Sequence, residues 1–152
     1  MTARQFASLE DLESAVGTHL GYSSWMLIDQ TRVDTFAEAT DDPQWIHVDP
    51  ERAAAGPFGT TIAHGYLTLS LAVPLVAEVV DVAGVAMGVN YGTNKVRFPA
   101  PVPVGSMLRA GVTLMAVDRF DGGAQVTLDV AFEIEGGTKP VCVAQVLYRF
   151  YT

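Results

Sequence analysis

The chain has 152 residues, which is the length of one domain, and we expect a single domain over residues 1–152. Its net charge of −8 argues against nucleic acid and anionic membranes as partners, because both carry negative charge themselves. Hydrophobic residues make up 49% of the chain and charged residues only 17%, which favours a homodimer that covers part of the surface.

The cysteine content and the apolar segments restrict the class of protein further. Cys142 is the single cysteine, so an intrachain disulfide is excluded. Residues 1–14 lack the apolar core of a signal peptide. The most apolar run, residues 66–80, is short for a bilayer and contains Pro74 and Glu78. We therefore expect a cytoplasmic protein.

Capping signals in the first half predict short helices. Ser8 and Asp11 start a helix that ends at Gly17 or Gly21. A strand is predicted at residues 22–29, and further helices at residues 32–39, 51–55 and from 64 onwards. The last of these helices is apolar almost all round, so we expect it to be buried, with a kink at Pro74.

The second half has the alternation and the glycine turns that are typical of antiparallel strands. Strands are predicted at residues 85–91, 95–98, 106–120, 124–135 and 138–151. The turns at residues 121–123 and 136–137 contain glycine pairs, which favour hairpins. One long apolar helix and a twisted antiparallel sheet to cover it indicate an α+β domain.

Asp42 and His47 form the most informative pair of side chains. If residues 43–46 make a tight turn, the carboxylate and the imidazole converge and can hold one water between them, as general acid–base chemistry requires. Alternatively, Asp42 caps a short helix and His47 is a buried structural side chain. The residues alone leave both interpretations open.

Gly65 is the second feature, because it begins the apolar helix. Its free N–H could receive a carbonyl oxygen that gains negative charge, although a tight helix entry explains the glycine equally well. Asp42, His47, Asp49 and His64 lack the spacing of a metal site, so no metal is expected. No G-x-S-x-G motif occurs, which argues against a serine hydrolase.

A few positive charges are available for phosphates, and apolar residues are available for an acyl chain. The candidates for phosphate contacts are Arg52, Lys95, Arg97 and Arg109, which an ordinary solvated surface explains as well. The long helix and Phe58 could wall an acyl tunnel, or could simply be core.

The stretch FAEATDDPQWIHVDPERAAAGPFGTTIAHGYLTLSL resembles the MaoC-like, (R)-specific enoyl-CoA hydratase family. Its signature Gly-Asp-x-Asn-Pro-x-His-x-Asp is matched by Asp42, His47 and Asp49. Residues 63–71 and 90–102 are also similar, so the resemblance covers most of the chain after residue 31. The chain departs from the signature at three positions: Asp41 stands where Gly is usual, and Gln44 and Trp45 replace Asn-Pro.

The resemblance implies a hot-dog fold, in which a twisted antiparallel sheet wraps a long central helix, and a homodimer. It implies reversible hydration of trans-2-enoyl-CoA to (R)-3-hydroxyacyl-CoA, with Asp42 and His47 catalytic and the Gly65 N–H on the thioester carbonyl. CoA is then the substrate carrier, and neither a metal nor a redox cofactor is expected. Further substrate-binding candidates are Gln44, His64, Tyr66, Lys95 and Arg97.

Three other functions stay open at this point. A dehydratase acting on 3-hydroxyacyl-carrier protein would use the same chemistry on another carrier. A hot-dog acyl-CoA thioesterase would release free thiol. A non-catalytic acyl-thioester-binding subunit would bind the thioester without turnover, and the extra carboxylate of Asp41 is compatible with this possibility.

Overall fold

The structure is a computed structural model that describes residues 3–152. The first half contains short elements, which follow in the order β1 (Arg4–Phe6), α1 (Leu9–Glu13), β2 (His19–Tyr22), β3 (Met26–Leu27), α2 (Gln30–Thr40), α3 (Trp45–Val48) and α4 (Pro50–Ala54). The predicted strand at residues 22–29 is therefore two short strands, while β1 and α3 were not predicted.

Side-chain caps decide where these helices begin. Ser8 accepts a hydrogen bond from the Asp11 N–H at 3.1 Å, which confirms the predicted cap of α1. The cap of α2 is Asp29, which accepts from the Arg32 N–H at 2.9 Å, so this helix begins at Gln30, two residues before the predicted residue 32.

The central helix consists of α5 (Gly65–Ser70) and α6 (Ala72–Ala77), with an interruption at Leu71. Pro74 has no N–H for the carbonyl four residues earlier, which accounts for the predicted break. The prediction of burial all round was wrong for the single chain, because Tyr66 is 71% exposed and Val73 is 49% exposed.

The antiparallel sheet packs against one side of this helix. The remaining strands are β4 (Val80–Val82), β5 (Met87–Arg97), β6 (Met107–Phe120), β7 (Gly123–Ile134) and β8 (Cys142–Tyr151). The main sheet has the order β2-β6-β7-β8-β5, and β3 also pairs with β6. All of its pairs are antiparallel, whereas β4 pairs with β1 in a separate parallel ribbon.

The two faces of the sheet differ in composition. Side chains of β6 alternate between fully buried apolar residues such as Leu108 and Val112 and partly exposed ones such as Arg109. The apolar face packs against the central helix, and the other face carries the Arg109–Glu133 ion pair. This arrangement is the α+β architecture that the sequence predicts.

Strand β5 lies at an edge of the sheet, and its residues are exposed except for the partly buried Val96. The sequence predicts two strands here, but the structure has one strand with register shifts between Asn90 and Gly92 and between Thr93 and Lys95. Within residues 3–152, no helix combines the length and the apolar character that crossing a bilayer requires.

Candidate active site

The end of α2 places Asp42. Asp41 adopts a left-handed backbone conformation (φ 55°, ψ 38°), and the Asp42 N–H donates a hydrogen bond to the Ala37 carbonyl at 3.0 Å. The Asp41 N–H reaches the Glu38 carbonyl at 3.5 Å, which completes the hydrogen-bond pattern of a Schellman motif. A left-handed residue is required at this point, which explains why glycine is usual there and why aspartate is tolerated. The Asp41 side chain is exposed.

His47 lies on α3 and is 7% exposed. Its Nδ1 is 2.7 Å from the Ile62 carbonyl oxygen. Because a carbonyl only accepts, Nδ1 carries the proton and Nε2 keeps a free lone pair. Gln30 links His47 to the loop before the central helix. Its Nε2 donates to the His47 carbonyl at 2.7 Å, and its Oε1 accepts from the Thr61 hydroxyl at 2.6 Å.

Burial lowers the pKa of His47 below its ordinary value of 6.5. The hydrogen bond to the Ile62 carbonyl acts in the opposite direction, His64 lowers the pKa further, and the Asp42 carboxylate raises it. The net shift is downward, which favours the neutral ring, and a neutral ring with its proton on Nδ1 can accept a hydrogen bond through Nε2.

His64 precedes the central helix and is 3% exposed. Its Nε2 donates to the Asp42 backbone carbonyl at 3.0 Å and lies 3.9 Å from the Asp42 Oδ2 atom. Its ring stacks on that of His47, with centroids 3.7 Å apart and planes 23° apart. Among the described residues, no hydrogen-bond partner meets the buried Nδ1 of His64.

Asp42, His47 and His64 therefore form one cluster, in which one ligand atom from each lies within 4.8 Å of the others. Two hydrogen bonds of about 2.8 Å that meet on one water at a roughly tetrahedral angle span about 4.6 Å. Stacked imidazoles direct their in-plane lone pairs side by side, which suits a single metal ion poorly. The cluster fits a bridging water better, and the expectation of no metal stays a prediction.

Two cavities meet at this cluster, and His47 and Gly65 border both. The first, of about 320 Å³, is partly polar and is also lined by Asp42, His64 and Tyr66. The second, of about 350 Å³, is mainly apolar, and its wall includes Phe58, Ile62, Thr68, Phe98, Val102 and Val141. A partly polar cavity and a mainly apolar one thus lie next to each other at the start of the central helix.

A side chain at Gly65 would be crowded. A Cβ on Gly65 would lie 3.0–3.1 Å from ring carbons of Phe98, which packs directly over the backbone. Gly65 is the first residue of α5, and its N–H precedes the first intrahelical hydrogen bond. His64 provides no side-chain cap to this helix.

The other predicted substrate-binding residues separate into two groups. Tyr66 is exposed and lines the polar cavity, whereas Gln44 is exposed at the start of α3 and is not among the residues that line either cavity. Lys95 and Arg97 lie opposite Gln145 and Val143, on the sheet face away from the helix. The single chain does not bring these two cations to the cluster.

Sequence reasoning missed three supports of the site: Gln30, the carbonyl of Ile62, and Phe36, whose ring centroid is 4.9 Å from that of His64. A backbone carbonyl has no signal in the sequence. The contact of Phe36 with His64, 28 positions later in the chain, depends on how α2 and α5 approach one another.

A family model described as the MaoC like domain matches residues 11–133. The chain is 54% identical over 148 residues to 3-hydroxyacyl-thioester dehydratase Z of Mycobacterium tuberculosis, covering 97% of this chain and 98% of the relative. It is 45% identical over 141 residues to nodulation protein N of Rhizobium leguminosarum bv. viciae, covering 90% and 87%.

Solved structures give the same result for the fold. The (R)-hydratase from A. caviae, described as involved in PHA biosynthesis, matches with a TM-score of 0.70 and 25% identity, covering 87% of this chain and 96% of that chain. The predicted hot-dog architecture is confirmed by this likeness. Because the family model spans most of the sequence and the mycobacterial relative matches nearly all of it, the chain belongs to the MaoC-like domain family.

Proposed function

We propose that the protein catalyses the reversible addition of water to a trans-2-enoyl thioester, giving an (R)-3-hydroxyacyl thioester, with CoA as the carrier. The observation that carries this proposal is the placement of the Asp42 carboxylate and the His47 imidazole within 4.8 Å, in a cavity that Gly65 also borders. A water-binding pair and a carbonyl-binding N–H are the two components that this reaction needs.

The relatives support the choice of substrate. The mycobacterial relative is named as a dehydratase of 3-hydroxyacyl thioesters, and the A. caviae protein is named as an (R)-hydratase. Dehydration and hydration are the two directions of one reaction, so both names are consistent with a single chemistry at the Asp42–His47 pair. The stereochemistry and the CoA carrier are our extension to this chain.

In the proposed mechanism, one water is held between Asp42 and His47. The free Nε2 of His47 accepts a hydrogen bond from the water and orients it, because the Ile62 carbonyl already holds the Nδ1 proton. The Asp42 carboxylate takes the other proton as the water oxygen attacks C3. The same proton then passes from Asp42 to C2, so that one water is added in total and the enzyme is regenerated.

The charge that develops on the thioester oxygen is stabilised at the start of the central helix. The Gly65 N–H is the proposed donor, because it precedes the first intrahelical hydrogen bond of α5 and Gly65 borders both cavities. The apolar cavity next to it would hold the acyl chain, since Phe58, Ile62 and Val141 offer it no polar groups. No metal or redox cofactor takes part in this scheme.

We further propose a cytoplasmic homodimer that forms through β5. This strand is an exposed sheet edge of eleven residues, and Met87 and Tyr91 on it are 52% and 53% exposed. An exposed, unpaired edge of this length is a template for pairing with a second copy. Val73 of the central helix lines a cavity with Asn90 and Gly92 of β5, so the contact would extend to the helix.

The test is the ultraviolet absorbance of the conjugated enoyl thioester, followed with purified protein in both directions. We expect dehydration of (R)-3-hydroxyacyl-CoA and no turnover of the (S) enantiomer. A carrier-protein dehydratase would prefer the same acyl group on carrier protein, and a thioesterase would release free thiol. Binding of enoyl-CoA without any turnover would contradict the proposal and favour a non-catalytic subunit.

A further inference from the structure

We propose that His64 is a positioning residue, which holds the Asp42 carboxylate and the His47 imidazole in the mutual orientation that one bridging water requires. The inference rests on the proposed function, and it gives His64 a role different from the substrate contact that the sequence predicts. His64 contacts both members of the pair and precedes Gly65 directly, so it joins the three parts of the site.

The first contact fixes the backbone of Asp42. The side chain of Asp42 is 56% exposed, so the surrounding protein restrains it little. The hydrogen bond from His64 Nε2 to the Asp42 carbonyl, at 3.0 Å, connects this exposed residue to the buried start of the central helix. Without that bond, the Schellman turn that ends α2 would be the only restraint on the Asp42 backbone among the described hydrogen bonds.

The second contact fixes the plane of the His47 ring. The hydrogen bond from Nδ1 to the Ile62 carbonyl holds one ring atom, but the ring can still tilt about that bond. The stacked His64 ring, 3.7 Å away, restricts this tilt and so aims Nε2 into the polar cavity. Phe36 packs on His64 with centroids 4.9 Å apart and limits its movement in turn.

The unpartnered nitrogen of His64 argues against a role in proton transfer. Nε2 carries the proton that it donates to Asp42, so Nδ1 has only a lone pair, which is buried and meets no donor within residues 3–152. With its N–H engaged by the Asp42 carbonyl, His64 is suited to hold that residue in place and not to pass a proton to the water.

Three substitutions separate the two contacts. His64→Gln keeps a side-chain N–H donor for the Asp42 carbonyl but loses the stacked ring. His64→Phe keeps the ring but loses the donor, and His64→Leu loses both. We expect kcat to fall about tenfold in each of the first two variants and about a hundredfold in the third, with KM within about threefold of wild type, because a small misplacement of reacting groups has effects of this size.

Coupling to Asp42 distinguishes positioning from a general loss of stability. In an Asp42→Asn background, His64→Leu should cause no further loss of kcat, because the pair that it aligns is already inactive. The matched control is His19→Gln, since His19 is an exposed histidine whose Nδ1 lies 3.4 Å from Thr113 on β6. That variant should keep wild-type kcat. His64 variants with kcat within twofold of wild type would overturn the inference, as would losses that remain equally large in the Asp42→Asn background.

A structural readout separates this inference from the proposed function. If the wild-type protein turns over no thioester, the proposed function fails, and crystal structures of His64→Leu and His64→Gln then decide about positioning. We expect the His47 ring or the Asp42 carboxylate to move by more than about 0.5 Å in His64→Leu, a displacement that catalytic geometry does not tolerate. Unchanged positions in both variants would overturn the inference even in an active enzyme.

Discussion

The Nδ1 of His47 lies 2.7 Å from the carbonyl oxygen of Ile62, and this contact decides which nitrogen of the ring faces the cavity. The carbonyl holds the Nδ1 proton, while burial lowers the pKa of the ring below 6.5. His47 therefore presents a neutral acceptor to a bound water. The relationship yields a pH dependence for both stability and activity.

The free energy of unfolding should fall as pH is lowered from about 6.5 through the lowered pKa of His47. The unfolded chain binds a proton at His47 more readily than the folded protein, so acid favours unfolding in this pH range. The stabilisation that the neutral His47 gives to the folded protein is fully present above about pH 6.5. Chemical denaturation at several pH values measures the slope, and His47→Gln should reduce it. The acid limb of kcat/KM should lie below pH 6.5 as well, and a limb above that value would contradict a neutral His47.

Asp42→Asn and His47→Gln should each lower kcat by about 10²–10⁴-fold, the usual contribution of general acid–base catalysis. Both residues act on the same water, so the double variant should be little slower than the slower single variant. Steady-state hydration of an enoyl thioester provides the rates, and thermal unfolding checks that each variant is folded. Full activity in either single variant would remove that residue from the mechanism.

Gly65→Pro and Gly65→Ala form a matched pair for the oxyanion donor. Both add a Cβ near Phe98, but only proline removes the N–H. Proline is well tolerated at the first position of a helix, and the extended backbone of His64 (φ −60°, ψ 139°) suits the residue before it.

We expect the proline variant to have a kcat about 10²–10³-fold lower than that of the alanine variant, which is the usual effect of removing one oxyanion donor. The control is Phe98→Leu in both backgrounds, which relieves the crowding at the new Cβ. Equal rates for the proline and alanine variants in that background would show that the Gly65 N–H is not used.

Asp41→Gly should stabilise the protein by about 0.5–1 kcal/mol, because glycine adopts the left-handed backbone at this position without strain. Asp41→Ala should destabilise it by a similar amount. Urea denaturation measures both changes. Because the Asp41 side chain is exposed, Asp41→Gly should leave kcat within about twofold of wild type, and a large change in rate would place this carboxylate in the site.

Val73→Glu should convert the proposed homodimer into monomers. Val73 is 49% exposed on the central helix beside the β5 edge, and a buried carboxylate at an apolar interface is strongly unfavourable. Val16→Glu is the control, since Val16 is 44% exposed next to α1, in another part of the molecule. Analytical ultracentrifugation should show a dimer for the wild type and Val16→Glu, and a monomer for Val73→Glu. A wild-type monomer would contradict the proposal.

Local signals in the sequence were sufficient for several elements. The Ser8 cap, the break of the helix near Pro74 and the glycine turns between the long strands each depend on a few neighbouring residues. The pairing of Asp42 with His47, five residues apart, was one of two interpretations that the residues left open, and the structure brings the two side chains together through the end of α2 and the short helix α3. Short-range geometry leaves little freedom at such distances.

The tertiary structure decided the rest. The contact of His64 with both residues joins positions 17 and 22 apart in the chain, and no periodicity encodes it. The strand partners of Lys95 and Arg97 depend on the two register shifts in β5, since each extra residue moves every later residue of the strand one position along β8. Residue types determine which groups are available, whereas packing between distant segments determines which of them meet.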